Sequence, residues 1–480
     1  PSLIPSQYFA NILSERENAE IVLYENLYKN IFFYKALYFF RDLLPHSYRN
    51  IYRSFGAKKK FFTDYSESII ARANEIYLKE FHKLKSKEDV LKLKLEGVEV
   101  GELLYDFYLA NNNKPTIDIN DNSFKTAMQQ FFRLFYYWDL YFKKNEKKVK
   151  AMIVSHDVYH YAIPLRIAIN LDIPCYTVGH GQCFYLNKEN LRKKTRFNKY
   201  KEDFDKLSNE IKSKGIKESK KILEKKFSGE LTFDKANNAP VDVNLFKKSN
   251  SQIRLSNKKK ILVATHCFTD AIHAYGETLF TDYYDWIDFI GKKTIDSEYE
   301  WLLKAHPAQY EKNLDHLKYF EKKYENFLLL PKKISHFELI NNDVIGVLTM
   351  YGSIGYEYPF FGIPVINASN YNPHNAFNFN YCPKTINEYS DLIDNIQNLK
   401  FDKEIYRSEI YEYYFCNFLK DYYLFDDHIK IVEELGKNYS SPLVYQKWIE
   451  NFSTQKHNDI IKKIDRFIES KVHRLLKDNH

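Results

Sequence analysis

Lys304-Ala305-His306-Pro307 and Thr349-Met350-Tyr351-Gly352-Ser353-Ile354-Gly355-Tyr356-Glu357, the second followed by Phe361-Gly362-Ile363-Pro364-Val365-Ile366, are the stretches on which the reading of this chain turns. Each polar string closes an apolar run, Trp301-Leu302-Leu303 before the first and Val344-Ile345-Gly346-Val347-Leu348 before the second. Such runs read as buried strands, and open α/β sheets place their ligands at the carboxyl ends of their strands. A lysine and a histidine at a strand end donate to phosphate oxygens, and Pro307 fixes the turn that presents the ring. In the second loop Gly352 and Ser353 precede a helix, whose first N–H groups favour an anion. Glu357, in the first turn or so of that helix, offers its carboxylate to a ribose diol or simply complements the helix dipole. Gly362-Ile363-Pro364 ends the helix and opens the next strand. The two loops outline a nucleotide-sized pocket, with Lys304, His306, Pro307, Tyr351, Gly352, Ser353 and Glu357 as its candidate lining.

The same alternation of strand and loop extends upstream. Lys260-Ile261-Leu262-Val263-Ala264 reads as a strand, and the loop after it, Thr265 to His273, holds His266, Asp270 and His273. Histidine and carboxylate together suit proton transfer or the stabilisation of an anomeric cation, so Asp270 and His266 are the candidate catalytic pair. Further back, Ala151 to Val154, Tyr161 to Asn170 and Pro174 to Val178 read as a βαβ unit with short connections. It is followed by Gly179-His180-Gly181-Gln182, where glycines on either side of His180 let the backbone approach a ligand. His180 joins the catalytic candidates; a solvated histidine in a tight turn is the plainer reading.

The flanks are helical. The first 135 or so residues mix apolar and charged positions at helical spacing, with an aromatic-rich run at Ile31 to Leu44 and a core stripe at Phe124 to Phe142. Leu191 to Lys226 is dense in lysine and glutamate. Its Asp203-Phe204-Asp205 has the D-x-D form that holds a metal against a diphosphate, but within so charged a helical run it reads as a solvated face. Gly229 to Asn257 has little periodicity and reads as an interdomain linker. The expected organisation is an N-terminal acceptor-side domain over 1–245 with a Rossmann-like core near 150–183, a nucleotide-sugar-binding domain over 258–400, and a helical extension over 401–480. In that extension Ile460, Ile461, Ile464, Phe467 and Ile468 form a stripe bordered by Lys462, Lys463 and Arg466, suited to packing on the protein or to lying on an anionic membrane surface.

Composition narrows the class. The chain has 480 residues, 44% of them hydrophobic, which suits two domains rather than one core. Mean hydropathy is −0.52, and no run approaches the roughly 20 apolar residues of a membrane-spanning helix. Five scattered cysteines without a CxxC pair argue for a reducing cytosol and against structural zinc or a disulfide framework. The net charge of +8 is a mild excess without a recognisable nucleic-acid-binding module, so no nucleic-acid partner is expected. The chain begins with Pro-Ser rather than Met, which suggests a missing N-terminal piece.

With these residues in place, Leu302 to Pro307, Gly352 to Glu357, Gly362 to Ile366 and the trailing Ala368-Ser369-Asn370-Tyr371 resemble the capsule polysaccharide biosynthesis proteins, bacterial glycosyltransferases that include β-Kdo transferases. The resemblance covers roughly residues 258 to 400. It implies a GT-B architecture, two Rossmann-like domains facing a cleft. The donor nucleotide would be held by His306, Pro307 and Ser353, and Asp270 would stand in the place of a catalytic aspartate. It implies a nucleotide-sugar donor, CMP-linked Kdo or sialic-like sugar among the options, no separate cofactor and no essential metal, and a glycan or lipid-linked acceptor met at the inner membrane's cytoplasmic face. Two departures stand out: Tyr351-Gly352-Ser353 where the family often has Ser-Ser or Ser-Thr, and Thr265-His266-Cys267 in the preceding loop. A CDP-polyol-dependent glycerophosphotransferase-type polymerase and a non-catalytic glycan-binding or assembly protein are the alternative functions.

Overall fold

The computed structural model describes residues 3–27, 31–44, 47–179, 183–191, 197–231, 233–234, 239–240, 243–247, 255–306, 310–332, 334–369, 371–419, 430–431, 434–436 and 443–475. The chain forms two compact units, one of 1–112 with 117–191 and 421–480, the other of 113–116 with 192–420. The passage between them falls at 191–192, not within 229–257, because the charged helical run before residue 227 packs into the second unit. The segment after 401 is likewise shared, its first part going with the second unit and its remainder with the first.

The first unit opens with α1 (Leu3–Arg16), β1 (Val22–Glu25), α2 (Ile31–Asp42), α3 (Tyr48–Ser54) and β2 (Lys59–Phe62), and β1 and β2 pair in parallel. Its core is helical, built on α4 (Glu67–Phe81), α5 (Gly101–Asn112) and α6 (Asn122–Asn145). Asp121 caps α6 by accepting the Ser123 N–H at 2.8 Å. The stripe read at Phe124 to Phe142 is buried as expected, with Phe124, Met128, Phe131, Phe135 and Trp138 all at 1% exposure or less. The βαβ unit is present as β3 (Met152–Val154), α7 (Ile163–Asn170) and β4 (Cys175–Val178), the two strands parallel, and β5 (Cys183–Leu186) adds to β4 antiparallel. The C-terminal helix Thr454–Ser470 lies on this unit. Ile464 and Phe467 are buried, Phe467 meets Phe9 and Tyr176, and Arg16 pairs with Asp465 at 2.9 Å. Of the two readings of that helix, packing is the one the contacts support.

The second unit carries a five-stranded, wholly parallel sheet. After α8 (Asn209–Phe227) come β6 (Lys260–Ala264), α9 (Tyr283–Lys293), β7 (Glu300–Lys304), α10 (Tyr310–Lys323), β8 (Phe327–Leu329), β9 (Val344–Thr349), α11 (Ile354–Phe361), β10 (Val365–Asn367), α12 (Ile386–Asp394) and α13 (Lys403–Tyr414). The strands lie in the order β8-β7-β6-β9-β10. The fold class is α/β, and this order, with each parallel link crossing through a helix (the short His336–Ile340 between β8 and β9), is that of the first five strands of a Rossmann sheet. Leu262, Val263, Leu302, Leu303, Val347 and Leu348 are fully buried, as the inner strands of a sheet covered on both faces must be. Gly362, at φ +92°, closes α11 in the left-handed conformation that only a residue without Cβ adopts freely.

Two histidines of this unit are shut into it. His374 is 0% exposed and burial pushes its pKa down to about 3. His336 is held well below the ordinary value by burial first, then by the charges of Lys304 and Lys226. Unfolding exposes both to water, where they take up protons below about pH 6.5. The unfolded state then binds more protons than the native one, so stability falls as pH drops. His266 of the same unit, also held at about 3 by burial first, adds a third, so between pH 6 and 4.5 the unfolding free energy of this unit should decline with about three extra protons, or about 4 kcal/mol per pH unit. Denaturant melts across that range measure it, and His374→Gln should remove close to a third of the slope.

Candidate functional site

Because the sheet is parallel, the loops after β6, β7, β9 and β10 all leave from one edge, and the strand order reverses between β6 and β9. That is where open α/β sheets bind ligands. The strand ends are tied together there. Thr265 donates its N–H to the Lys304 carbonyl at 2.9 Å and its hydroxyl to the same oxygen at 3.1 Å, while the Thr349 hydroxyl donates to the Ala264 carbonyl at 3.3 Å. These bonds bring His266 and Asp270, Lys304 and His306, and Tyr351, Gly352 and Ser353 to a single edge. Pro307 and His180 lie outside the described residues.

The middle of the edge is a slab of rings. His266 stacks on Tyr283 at 5.3 Å and 12° and faces His306 at 6.2 Å and 18°, and Tyr351 closes in at 4.9 Å. Thr349 Oγ1 lies 3.4 Å from His266 Nε2. The Tyr351 hydroxyl is bonded to that of Tyr283 and donates to the Ile272 carbonyl at 3.2 Å, and Tyr275 meets Tyr351 edge-on at 4.5 Å. A Cβ on Gly352 would stand 3.3 Å from His266 Cε1. The two departures from the capsule pattern therefore touch: an imidazole on one loop occupies space that a glycine on the other leaves open. Desolvation, followed by the neighbouring His306, pushes His266 down to about 3, against a smaller upward pull from Asp270. Its imidazole is neutral at physiological pH. Asp270 is exposed, with Oδ1 accepting the Ala271 N–H at 2.8 Å.

Beneath the slab lies a charged cluster. Glu357, 5% exposed, is paired through Oε1 with Lys226 Nζ of α8 at 3.0 Å, and Lys226 also donates to the Tyr356 hydroxyl at 2.7 Å. The carboxylate read as a ribose ligand is thus engaged inside the protein. His336, whose Nδ1 is 3.1 Å from the Tyr358 hydroxyl, completes the cluster as a neutral ring. Lys304 is 6% exposed, and burial lowers its pKa to about 8 despite the upward pull of Glu357. Among the described residues its ammonium makes no hydrogen bond and no ion pair. Two buried lysines share one carboxylate, leaving net positive charge at the strand end.

Ser353 stands at the start of α11 at φ −57° and ψ −24° and makes no capping bond through its hydroxyl. The hydroxyl is thereby left for a ligand on the positive end of the helix dipole, whereas the N–H groups of Gly355 and Tyr356 already donate to the Gly352 and Ser353 carbonyls at 2.9 and 3.0 Å. Sequence reasoning missed Lys226, Tyr283, Tyr275 and His336. Tyr283 follows the N-cap Asp282 at the head of α9, which marked a helix start but not a ring aimed across the edge. Lys226 was submerged in a run of lysines. In the D-x-D string Phe204 is buried and Asp205 pairs with Lys201 at 2.6 Å, and among the described residues no three His, Cys, Asp or Glu side chains converge as metal ligands. A shallow concavity of about 460 Å³ beside β10, lined by Tyr381, Cys382, Glu388 and Leu392, contains none of these groups.

No protein-family model matches the sequence, and no curated protein matches it. Among solved structures, UDP-GlcNAc 2-epimerase of Methanocaldococcus jannaschii in complex with UDP-GlcNAc and UDP is similar over 59% of this chain and 79% of that chain, with 11% identity and a TM-score of 0.27. So loose a superposition decides neither fold nor function; strand order and site geometry rest on the chain's own structure.

Removing the carboxylate from the buried cluster should cost more than the ion pair is worth, because Lys226 would be left charged and unpaired beside Lys304. Glu357→Gln is expected to lower stability by about 3 to 5 kcal/mol. Combining it with Lys226→Met should recover most of that loss, and a double-mutant cycle by denaturant unfolding measures both.

Proposed function

We propose that this chain is a transferase that holds a nucleotide-activated sugar by its phosphate groups at the edge formed by β6, β7 and β9, and passes the sugar to a growing bacterial surface glycan of capsule or lipopolysaccharide type. The observation that carries this reading is Lys304, a buried ammonium at a strand end whose nearby carboxylate is already paired with Lys226. An uncompensated buried cation is costly, and a phosphate oxygen arriving there relieves it. The Ser353 hydroxyl, at the positive end of the α11 dipole, supplies a neutral donor on the same edge, and the exposed His306 ring offers a further one. Lys304-Ala305-His306 and Gly352-Ser353 are also the strings that resemble the capsule family, which supports the donor class.

In the transfer itself the acceptor hydroxyl oxygen bonds to the anomeric carbon as the bond from that carbon to the phosphate oxygen breaks. The hydroxyl proton passes to Asp270, the accessible carboxylate of the edge, and the departing phosphate takes the bonding electrons, its charge stabilised by Lys304 and the helix N-terminus. His266 and Tyr351 form the wall on which the nucleotide or sugar rests.

A thermal-shift screen with CMP, CDP, UDP and GDP should show selective stabilisation by one of them; no shift with any would sink the reading. Since the Lys304 ammonium loses its proton above about pH 8, nucleotide affinity should hold from pH 6.5 to 7.5 and weaken as pH rises beyond 8. Lys304→Met should weaken binding by roughly ten- to a hundredfold and abolish that pH step, read by calorimetric titration. Asp270→Asn, in contrast, should keep nucleotide affinity while turnover falls by about 10² to 10⁴, measured as sugar transferred under saturating donor.

A further inference from the structure

The first unit carries an amphipathic helix turned inside out. On α2, Phe32 is 88% exposed, Phe33 62%, Leu37 49%, Phe39 58% and Phe40 66%. At 3.6 residues per turn these five fall within less than half the helix circumference, and the exposed Leu43 and Leu44 prolong the same face. The opposite, polar edge is the one attached to the protein. Lys35 pairs with Asp64 at 2.7 Å, Arg41 with Glu25 at 3.3 Å, and Asp42 with Lys60 at 3.1 Å, while Tyr38 stacks on Phe62 at 5.8 Å and 18°. Ion pairs and one ring stack thus dock the helix on β1 and β2 by the side that water would otherwise solvate. A helix on a globular surface normally buries its apolar stripe, and a contiguous exposed patch of this size marks an interaction surface.

The charge around the patch identifies its partner. Residues 31–60 carry seven lysines and arginines against the single Asp42. That aspartate is already paired, and Arg49, Arg53, Lys58 and Lys59 are exposed. Two copies of this face brought together would oppose one cationic rim to another, which disfavours self-association. An apolar aromatic face followed along the chain by exposed cations suits the boundary between acyl chains and anionic headgroups. We propose that α2 is an interfacial anchor that lies in the plane of an anionic lipid surface, with its phenylalanines in the acyl boundary and Arg49, Arg53 and Lys58 at the headgroups. This assignment stands apart from the proposed transferase activity and concerns a different segment from the basic C-terminal helix, which packs on the protein. Among the described residues no helix is long and apolar enough to cross a membrane, so the mode is adsorption and not spanning.

Co-sedimentation of the full chain with vesicles tests it. Phosphatidylcholine vesicles containing phosphatidylglycerol should retain the protein at low salt, and pure phosphatidylcholine should retain much less. The double variant Phe33→Glu with Phe40→Glu should lower the partition constant on the order of a hundredfold at an unchanged melting temperature, since both side chains are exposed. Independently, Phe40→Trp should add a fluorescence component that shifts to the blue on anionic vesicles and is quenched by brominated lipid. The proposal is overturned by absence of vesicle binding, by equal binding of the double variant, or by a tryptophan at position 40 that stays unquenched. A concentration-dependent dimer abolished by the same glutamates would overturn it too, by assigning the face to a protein contact.

Discussion

One carboxylate shared between two buried lysines governs the chemistry of the second unit. Glu357 is held by Lys226 from α8, so the charge of Lys304 at the end of β7 is answered only at a distance. A buried ion pair contributes little net stability because desolvation offsets its attraction, yet the cluster settles which groups stay charged. His336 is kept neutral by burial first and then by the two lysines around it, and burial brings Lys304 within reach of deprotonation near pH 8. The strand end is thereby left electropositive and largely buried, a setting in which an anion gains more from a single ammonium than it would in water.

On the same edge the rings of Tyr283, His266 and His306 are near parallel, with Tyr351 tilted against His266 and Tyr283. Their contacts join three loops that follow different strands, so the positions of His266 and Asp270 depend on the loop after β9 as much as on their own. Gly352 makes this packing feasible by leaving room for the imidazole. Recognition of a flat, charged ligand follows from the combination of an aromatic wall with a buried cation, where each feature alone would be commonplace.

Much of this was legible in the sequence, for a definable reason. Fully apolar runs such as Ile261-Leu262-Val263 and Trp301-Leu302-Leu303 identified inner parallel strands, and Gly362-Ile363-Pro364 marked the end of α11, because burial and backbone conformation leave local periodic traces. The loops that meet at the edge followed from parallel topology. What remained hidden was set by partners distant along the chain. Glu357 reads from its neighbours as a helix-start acid, and nothing within its window indicates Lys226. Lys226 itself reads as one more solvated lysine, although it is 4% exposed. The unit boundary at 191–192 was hidden for the same reason, since the amphipathic run of α8 reveals that it packs but not against what.

The aromatic run at Ile31 to Leu44 shows the same division most sharply. Its periodicity specified a helix with one apolar and one polar face, and by itself implied that the apolar face is covered. Only the tertiary structure decided that Lys35, Arg41 and Asp42 are the side bound to the protein, because ion pairs with Asp64, Glu25 and Lys60 on neighbouring segments fix the rotation of the helix about its axis. The sequence determined strand positions, loop positions and helix amphipathicity, all properties of residues close along the chain. Which face is buried, which charge is compensated and which is left for a ligand were decided by long-range contacts, since electrostatic and packing energies depend on distance in space and not on separation in sequence.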